Sequence, residues 1–235
     1  MNVLAIDTST DYLSVAVLRD AATLGRLHQE ARTSHSRLLV PAIRKVLARA
    51  GLRLKDVDGI ALSIGPGSFT GLRIGVTTVK ALALCSGKPV VTVPTLDVIA
   101  LQALSLVQYT GKENRLPRRI CPLLDAKKEK VYACLYERRS GGLRRVSGYL
   151  LLPLEDLLTR IKGEALLIGT GIDAYRDVIL KKAPSCVLYE KDDWRPDAVL
   201  VGTMGSEKLK KRDLADVNDL APFYIYSREC DIKGY

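Results

Sequence analysis

The feature that most constrains the fold of this chain is an internal repeat. An apolar strand, an aspartate, a polar turn and an alternating strand occur over residues 4–15 and again, without a gap, over residues 122–133. Farther along each copy, residues 64–67 and 168–171 place the pattern Ile-Gly-X-Gly before a predicted helix. Two matches in the same order indicate a duplicated domain.

The rest of the pattern alternates strands with helices, which predicts an α/β layer built on a central sheet. An apolar run over 59–64 is typical of a buried strand, and an amphipathic helix is predicted over 36–50. We therefore predict two lobes, 1–110 and 111–235, with the seam in the polar stretch 110–117.

Composition and charge narrow the class of protein. The chain has 235 residues, of which 47% are hydrophobic and 26% charged, so it is globular rather than disordered, and no run of about 20 apolar residues is present to span a bilayer. Residues 111–146 hold 11 basic and 4 acidic side chains of a chain whose net charge is +10. Such a patch attracts phosphate-rich partners, but it is also typical of a solvated face.

The cysteines favour a reducing compartment. Five cysteines, an odd number, without a C-x-x-C pair indicate neither a zinc site nor a disulfide framework, and the N-terminus lacks the features of a signal peptide. We therefore expect a cytoplasmic protein. If 126–129 is a four-residue hairpin turn, Cys121 and Cys134 lie opposite each other, as two packing residues rather than a disulfide.

The glycine-rich segment 65–71 allows two interpretations. A strand followed by a glycine turn and a helix N-terminus can present backbone N–H groups to an anion, or can be a tight turn that packs strand against helix. The segment lacks the Gly-Lys-Ser/Thr ending of a P-loop, and Thr70 replaces the third glycine of a dinucleotide fingerprint. A vestigial anion or nucleotide site would consist of Asp7, Thr8, Ser9, Gly65 and Gly67.

The helix that follows this segment carries few charges. From 72 to 84 only Arg73 and Lys80 are charged, and a helix that is apolar all round is buried on more than one side. Gly71, Gly75 and Thr78 form a stripe of small residues that a neighbouring helix could approach closely. The helix is therefore either part of a subunit interface or central within its own domain.

Neither histidines nor aspartates form a complete catalytic pattern. His28 and His35 lack further ligands at metal-binding spacing, so we expect no metal. Asp7 and Asp125 end equivalent strands and could act as acid and base, but no glycine follows either within its turn and lysines follow Asp125. A working ATP cleft is therefore disfavoured, and Asp7 fits a hydrogen-bonded Asx turn.

Several motifs together resemble the TsaB (YeaZ) family, whose members help to make the threonylcarbamoyladenosine modification of tRNA. The resemblance covers most of the chain, is strongest over residues 1–100, and is most specific in the glycine loop. The C-terminal residues 224–228 are a looser match. The motifs that carry the resemblance are residues 65–75, 4–8, 35–39, 124–126 with 131–132, and 222–224.

The resemblance implies an actin/hexokinase-like (ASKHA) fold of two duplicated ribonuclease-H-like halves with mixed central sheets. It also implies a subunit without catalytic residues, metal or cofactor, because the family's catalytic subunit, TsaD, uses a histidine pair and glycine loops that are incomplete here. The implied partners are TsaD, the ATPase TsaE, tRNA through the complex, and a second copy when TsaD is missing.

The resemblance further implies that the two N-terminal helices form the partner interface. The residues that would take part are Leu38, Leu39, Ala42, Ile43, Val46, Gly71, Leu72, Arg73, Gly75, Val76, Thr78 and Val79. On this basis a Gly75→Trp substitution is expected to prevent assembly and to leave the monomer folded.

Two other classes of function stay open from the sequence. One is an autonomous enzyme, either an ATP-dependent phosphotransferase or a glycoprotein endopeptidase, which would need Asp7. The other is a stand-alone tRNA-binding module that uses the basic region 111–146, with Lys127, Lys128 and Lys130 among its contacts.

Overall fold

The computed structural model of the protein describes residues 1–109, 117–189 and 194–225, with only the backbone described over 106–109. Most of the predicted seam at 110–117 and the last residues of the looser C-terminal match lie outside the described residues. The chain divides into two compact units, and each has its own sheet. The first unit comprises Met1–Val98 and Arg195–Phe223, and the second is built mainly from Ile99–Trp194.

The sheet of the first unit has five strands and mixed pairing. They are β1 (Asn2–Asp7), β2 (Tyr12–Arg19), β3 (Ala22–Glu30), β4 (Gly59–Ser63) and β5 (Val90–Val93). Their order is β3-β2-β1-β4-β5. β1, β2 and β3 pair antiparallel, whereas β1, β4 and β5 pair parallel.

Helices cover both faces of this sheet. They are α1 (His35–Arg49), α2 (Phe69–Ser86) and α6 (Ala198–Lys210), and α3 (Thr95–Tyr109) begins after β5. Because side chains alternate along a strand, Leu4 and Ile6 pack with α1 and α2, whereas Val3 and Ala5 pack with α6. The first unit is therefore a three-layer α/β/α structure.

The first unit differs from the predicted lobe 1–110 because α6 returns to it from the end of the chain. The N–H of Ala198 donates to Ser14 Oγ over 2.8 Å, and Asp197 caps the helix by accepting from the N–H of Val199 at 2.9 Å. Arg26 forms an ion pair with the same aspartate. The contacts of Ala198 with Ser14 and of Asp197 with Arg26 join residues more than 150 positions apart, which local sequence patterns do not reveal.

The second unit repeats the topology of the first. Its strands are β6 (Arg119–Asp125), β7 (Lys130–Ala133), β8 (Tyr136–Arg139), β9 (Gly142–Arg145), β10 (Leu150–Pro153), β11 (Ala165–Ile168) and β12 (Val187–Leu188). The order β10-β7-β6-β11-β12 has the same directions as β3-β2-β1-β4-β5, and β8 and β9 are added beside β6. The predicted duplicated ribonuclease-H-like architecture with mixed sheets is confirmed.

Helices α4 (Leu154–Arg160) and α5 (Thr170–Lys182) contribute to the core of the second unit. Cys121 and Cys134 are buried free thiols, but the predicted register between them is wrong. Asp125 pairs with Val131, so the turn holds one residue more than assumed, and Cys121 does not face Cys134 directly. Within the described residues, no helix combines the length and apolar character needed to cross a membrane.

Candidate functional site

The first candidate site is the turn after β1, where Asp7 is buried. Its Oδ1 accepts hydrogen bonds from the N–H of Ser9 at 2.9 Å and from Ser9 Oγ at 3.0 Å, which is the Asx geometry expected from the sequence. Burial raises the pKa of Asp7 to about 6, although hydrogen bonds from Ser63 and Ser9 oppose the shift. This carboxylate is therefore enclosed by groups of its own chain.

The glycine loop closes over this turn. A Cβ at Gly67 would overlap the carbonyl oxygen of Ser9, and a Cβ at Gly71 would overlap that of Thr8. The N–H of Ser68 donates to Ser9 O over 2.7 Å, and the N–H of Gly71 donates to Ser68 Oγ over 3.2 Å. The predicted anion-site residues are thus brought together, but these N–H groups at the start of α2 already have partners within the protein.

The stripe of small residues on α2 faces the interior of the first unit. A Cβ at Gly75 would overlap Thr8 Oγ1, a buried hydroxyl for which the described part of the chain offers no hydrogen-bond partner. The closest approach of this helix is therefore to β1 and its turn. A Gly75→Trp substitution would disrupt this packing, so the expectation that the monomer stays folded does not fit the structure.

Most of the predicted interface residues are likewise buried in their own unit. Only Arg73 of this set is exposed, and Leu38 and Thr78 are half-buried. The buried members, which pack within the first unit, are Leu39, Ala42, Ile43, Val46, Gly71, Leu72, Gly75, Val76 and Val79. Any partner of these helices must therefore contact their other sides.

The outer face of α2 carries exposed apolar side chains. We define it by Phe69, Arg73, Thr77, Ala81 and Leu84, which follow one another at spacings of four and three residues. Phe69 is 54% and Leu84 62% exposed, and the guanidinium of Arg73 lies 3.8 Å from the centre of the Phe69 ring. On the neighbouring helix α1, Val40 is also exposed, at 49%.

The second charged side chain of α2, that of Lys80, is directed away from this outer face. The ammonium of Lys80 donates to the carbonyl oxygen of Asn218 over 2.5 Å. The stretch from Thr77 to Leu84 therefore presents an uncharged surface. This face was missed from the sequence, although large apolar residues at helical spacing were the signal that marks it.

The second candidate site is the equivalent turn after β6. Asp125 Oδ1 accepts from the N–H of Lys127 at 2.8 Å, and the Lys127 ammonium lies 2.7 Å from Oδ2. Tyr175 Oη also donates to Asp125, over 3.1 Å. Partial burial raises the pKa of Asp125, but the hydrogen bonds and charge of Lys127 outweigh burial, so the pKa lies below its usual range.

The glycines before α2 and α5 are geometrically equivalent. Gly65 has φ of +115° and Gly169 has φ of +120°, values that a glycine adopts without strain. A Cβ at Gly169 would overlap the carbonyl oxygen of Leu123 on β6. The sequence similarity between 64–67 and 168–171 therefore reflects the same backbone conformation, but the neighbours differ, because a Cβ at Gly65 would lie 2.9 Å from Leu72 Cδ1 and from the carbonyl oxygen of Phe223.

The histidines serve the fold. His35 begins α1, and its two ring nitrogens lie 2.8 Å and 3.1 Å from the carbonyl oxygens of Arg32 and Tyr12. His28 stacks on the Tyr12 ring with centroids 5.0 Å apart, and burial lowers its pKa. In the described ranges, no group of three or more metal-ligating side chains is assembled.

Comparison with known proteins agrees with this architecture. Residues 21–223 match the family model described as "TsaD: tRNA N6-adenosine threonylcarbamoyltransferase". The tRNA threonylcarbamoyladenosine biosynthesis protein TsaB of Haemophilus influenzae is 36% identical, with 96% of this chain and 93% of that protein covered. Its counterpart in Escherichia coli is 28% identical, with 96% of this chain and 94% of that protein covered.

A solved structure, YeaZ from Pseudomonas aeruginosa, is also similar to this chain. It is 27% identical, with a TM-score of 0.77, and the match covers 95% of this chain and 99% of that one. The resemblance seen in the motifs therefore extends over nearly the whole chain in both sequence and structure.

Proposed function

Because this chain belongs to the TsaB family of tRNA threonylcarbamoyladenosine biosynthesis proteins, we propose that it is a non-catalytic subunit of that pathway. In this role it binds a TsaD-type catalytic subunit and activates it. The outer face of α2 is the contact surface, and the exposed side of α1 extends it.

The observation that carries this proposal is the exposure of apolar groups on a helix with almost no charge. Phe69 and Leu84 present more than half of their surface to solvent, and the residues between them include no acidic side chain. Burying a side chain of this size against a partner contributes about 1.5–3 kcal/mol. Aromatic and aliphatic groups of this kind form the centres of protein interfaces.

The environments of the two aspartates support a role without catalysis. Asp7 is enclosed by Ser9 and the glycine loop, and Asp125 is neutralised by Lys127. A phosphotransferase or an endopeptidase would need a carboxylate that can reach its substrate. Neither turn offers one, which argues against an autonomous enzyme.

The same surface would serve two assemblies. When the catalytic subunit is absent, a second copy of this chain is expected to cover the outer face of α2, and the two complexes should then exclude each other. A TsaE-type ATPase joins the heteromeric assembly, and this assembly as a whole binds tRNA. The free thiols of the chain fit assembly in the reducing cytoplasm.

A substitution on the outer face tests the proposal without disturbing the core. Thr77→Trp places a bulky side chain at the exposed centre of α2, and Thr203→Trp makes the same change on the exposed side of α6, across the sheet. We expect Thr77→Trp to weaken co-purification with the catalytic subunit by at least about tenfold, and Thr203→Trp to leave it unchanged.

Two further measurements complete this experiment. Thermal unfolding should show that both variants are folded, and sedimentation of the chain alone should show loss of the homodimer only for Thr77→Trp. Unchanged binding by a folded Thr77→Trp variant would reject the outer face of α2 as the interface. Turnover of ATP or peptide by the isolated chain would reject the non-catalytic role.

A further inference from the structure

The hairpin β8–β9 is an addition to the repeated fold. In the first unit β2 leads directly into β3, whereas in the second unit this hairpin lies between β7 and β10, the equivalent strands. It attaches to the sheet by pairing Arg119 with Glu137 and Ile120 with Tyr136 on β6 and β8. Because the topology is complete without it, the hairpin is free to carry a function of its own.

The surface of this hairpin is dominated by arginine. We define the arginine cluster as Arg118, Arg119, Arg138, Arg139, Arg144 and Arg145, which lie on β8, on β9 and at the adjoining start of β6. Arg139 and Arg144 lie on the same face as Glu137, with which Arg118 also pairs. Arg138 and Arg145 lie on the opposite face, and Arg119 donates to the carbonyl oxygen of Lys162. Arg118, Arg139 and Arg144 are 62%, 44% and 63% exposed.

Glu137 is the only acidic side chain on β8, on β9 and at residues 118–119, and it forms ion pairs with three arginines. Its carboxylate lies 3.4 Å from Arg118, 2.6 Å from Arg139 and 3.0 Å from Arg144. Partial burial raises the pKa of Glu137, but hydrogen bonds and charges from these arginines outweigh burial and hold the pKa below its usual range. One negative charge cannot neutralise these three guanidinium groups, so this face of the hairpin keeps a net positive charge.

We propose that the arginine cluster binds the phosphate backbone of RNA, so that this chain contributes directly to holding the tRNA. The inference rests on the proposed function for the identity of the RNA. Guanidinium groups donate two parallel hydrogen bonds to phosphate oxygens, and an array of them on neighbouring strands suits a chain of phosphates better than a single anion. Glu137 orients three of these groups before the RNA arrives.

The neighbouring aromatic group supports RNA over an acidic protein surface. The guanidinium of Arg145 lies 4.5 Å from the centre of the Tyr149 ring, and both arginine and tyrosine are side chains on which unpaired bases stack. The proposed protein interface is the outer face of α2, and none of its residues belongs to the hairpin.

The test measures the binding of a labelled, unmodified tRNA transcript to the full-length chain. Fluorescence anisotropy gives the affinity at each of a series of salt concentrations. The variant Arg139→Gln/Arg144→Gln removes two of the exposed guanidiniums. The control Lys181→Gln/Lys210→Gln removes the same charge from exposed positions on α5 and α6. Each lost phosphate contact should reduce the slope of log affinity against log salt by about 1.

We therefore expect the arginine variant to bind about tenfold more weakly than the wild-type chain, with a salt slope lower by about 2, and the control to lose much less. Glu137→Gln removes the negative charge at the centre of the cluster and should tighten binding about twofold to threefold. Equal losses in the arginine variant and the control would overturn the proposal. It is also overturned if the wild-type chain fails to bind tRNA at low salt, or if the arginine variant keeps its tRNA affinity and instead loses its protein partner.

This outcome is separable from that of the proposed function. The arginine variant should still co-purify with the catalytic subunit, because the outer face of α2 is intact. Loss of tRNA binding with an intact complex supports the inference, whereas failure of the Thr77→Trp experiment would affect only the assignment of the protein interface.

Discussion

The turns after β1 and β6 occupy the same place in two copies of one topology, but their aspartates have opposite environments. In both turns the residue two positions later donates its backbone N–H and its side chain to the carboxylate. Next to Asp7 that side chain is the hydroxyl of Ser9, and next to Asp125 it is the ammonium of Lys127. Burial therefore raises the first pKa, and the lysine lowers the second.

The difference shows how a duplicated fold can keep a geometry without keeping a shared chemistry. Both carboxylates satisfy the turn in which they lie, one inside a closed glycine loop and one in an ion pair. Both carboxylates are thus engaged by groups of their own turns, which agrees with the proposed role without catalysis.

The largest expected effect on the free energy of unfolding comes from substitutions in the two glycine loops. A Cβ at Gly67 would overlap the backbone carbonyl of Ser9, whereas a Cβ at Gly171 would lie 2.7 Å from Cγ and Cδ1 of Leu123, a side chain that can shift more readily than backbone. Gly67→Ala should therefore reduce the free energy of unfolding by about 3 kcal/mol and Gly171→Ala by about 1 kcal/mol. Urea unfolding measures both, and equal losses would contradict the comparison.

The second prediction concerns the pH dependence of stability. The pKa of Asp7 is raised from 3.8 to about 6, so the folded state binds the proton more tightly, and stability falls as pH rises through this window. The loss is about 3 kcal/mol and is complete somewhat above pH 6. Asp7→Asn should remove this decline in urea unfolding measured between pH 4.5 and pH 7.5.

Asp125→Asn provides the control of opposite sign. Because the pKa of Asp125 is lowered, its contribution to stability is present above the unfolded-state value and is lost as pH falls through the folded-state value. The Asp125→Asn variant should therefore be less stable than the wild-type chain at neutral pH, and this difference should shrink at acid pH. If the stability difference from the wild-type chain changed with pH in the same direction for Asp7→Asn and Asp125→Asn, the opposite pKa shifts of the two aspartates would be refuted.

The third prediction concerns the backbone. Lys127, Lys128 and Glu129 have φ of +64°, +50° and +60°, a left-handed run that side chains other than glycine disfavour. Lys128→Gly should therefore increase the free energy of unfolding by about 1 kcal/mol. Ser9→Gly in the first turn should decrease it by about 1 kcal/mol, because it removes a hydrogen bond to Asp7. In thermal unfolding, we expect the midpoint temperature to rise for Lys128→Gly and to fall for Ser9→Gly.

The smallest effect comes from exchanging the side chain that distinguishes the turns. Lys127→Ser gives the second turn the hydroxyl found in the first, so the pKa of Asp125 should rise above its wild-type value. Stability should change by less than about 1 kcal/mol, as for other ion pairs at a surface. An NMR titration of the carboxyl carbon measures the pKa, and no upward shift would show that Lys127 does not control Asp125.

The repeat was predictable from the sequence because it consists of short local patterns of apolar, acidic and glycine residues. Residues 4–15 and 122–133 show the strand, aspartate and turn directly, and the glycines at 65 and 169 show the second match. The register at Cys121 was not predictable, since it depends on the left-handed turn at 127–129, which lysines and glutamate rarely adopt.

The long-range packing was also beyond the sequence. Nothing near Ala198 indicates that its helix begins on Ser14, and no local signal says which side of an apolar helix faces its own sheet. From the sequence Gly71 and Gly75 therefore fitted either a partner helix or the chain's own sheet, and the structure places both against Thr8. The outer side of α2, with Phe69 and Leu84, becomes recognisable only after the inner side is known.

The most direct test of the central claim is the rate of tRNA threonylcarbamoylation in a mixture reconstituted with the catalytic subunit, the ATPase and tRNA. We predict that Asp7→Asn and Asp125→Asn, where folded, retain activity within about twofold of the wild-type chain, whereas Thr77→Trp loses at least about tenfold. Abolished activity in either folded aspartate variant, with Thr77→Trp fully active, would contradict it.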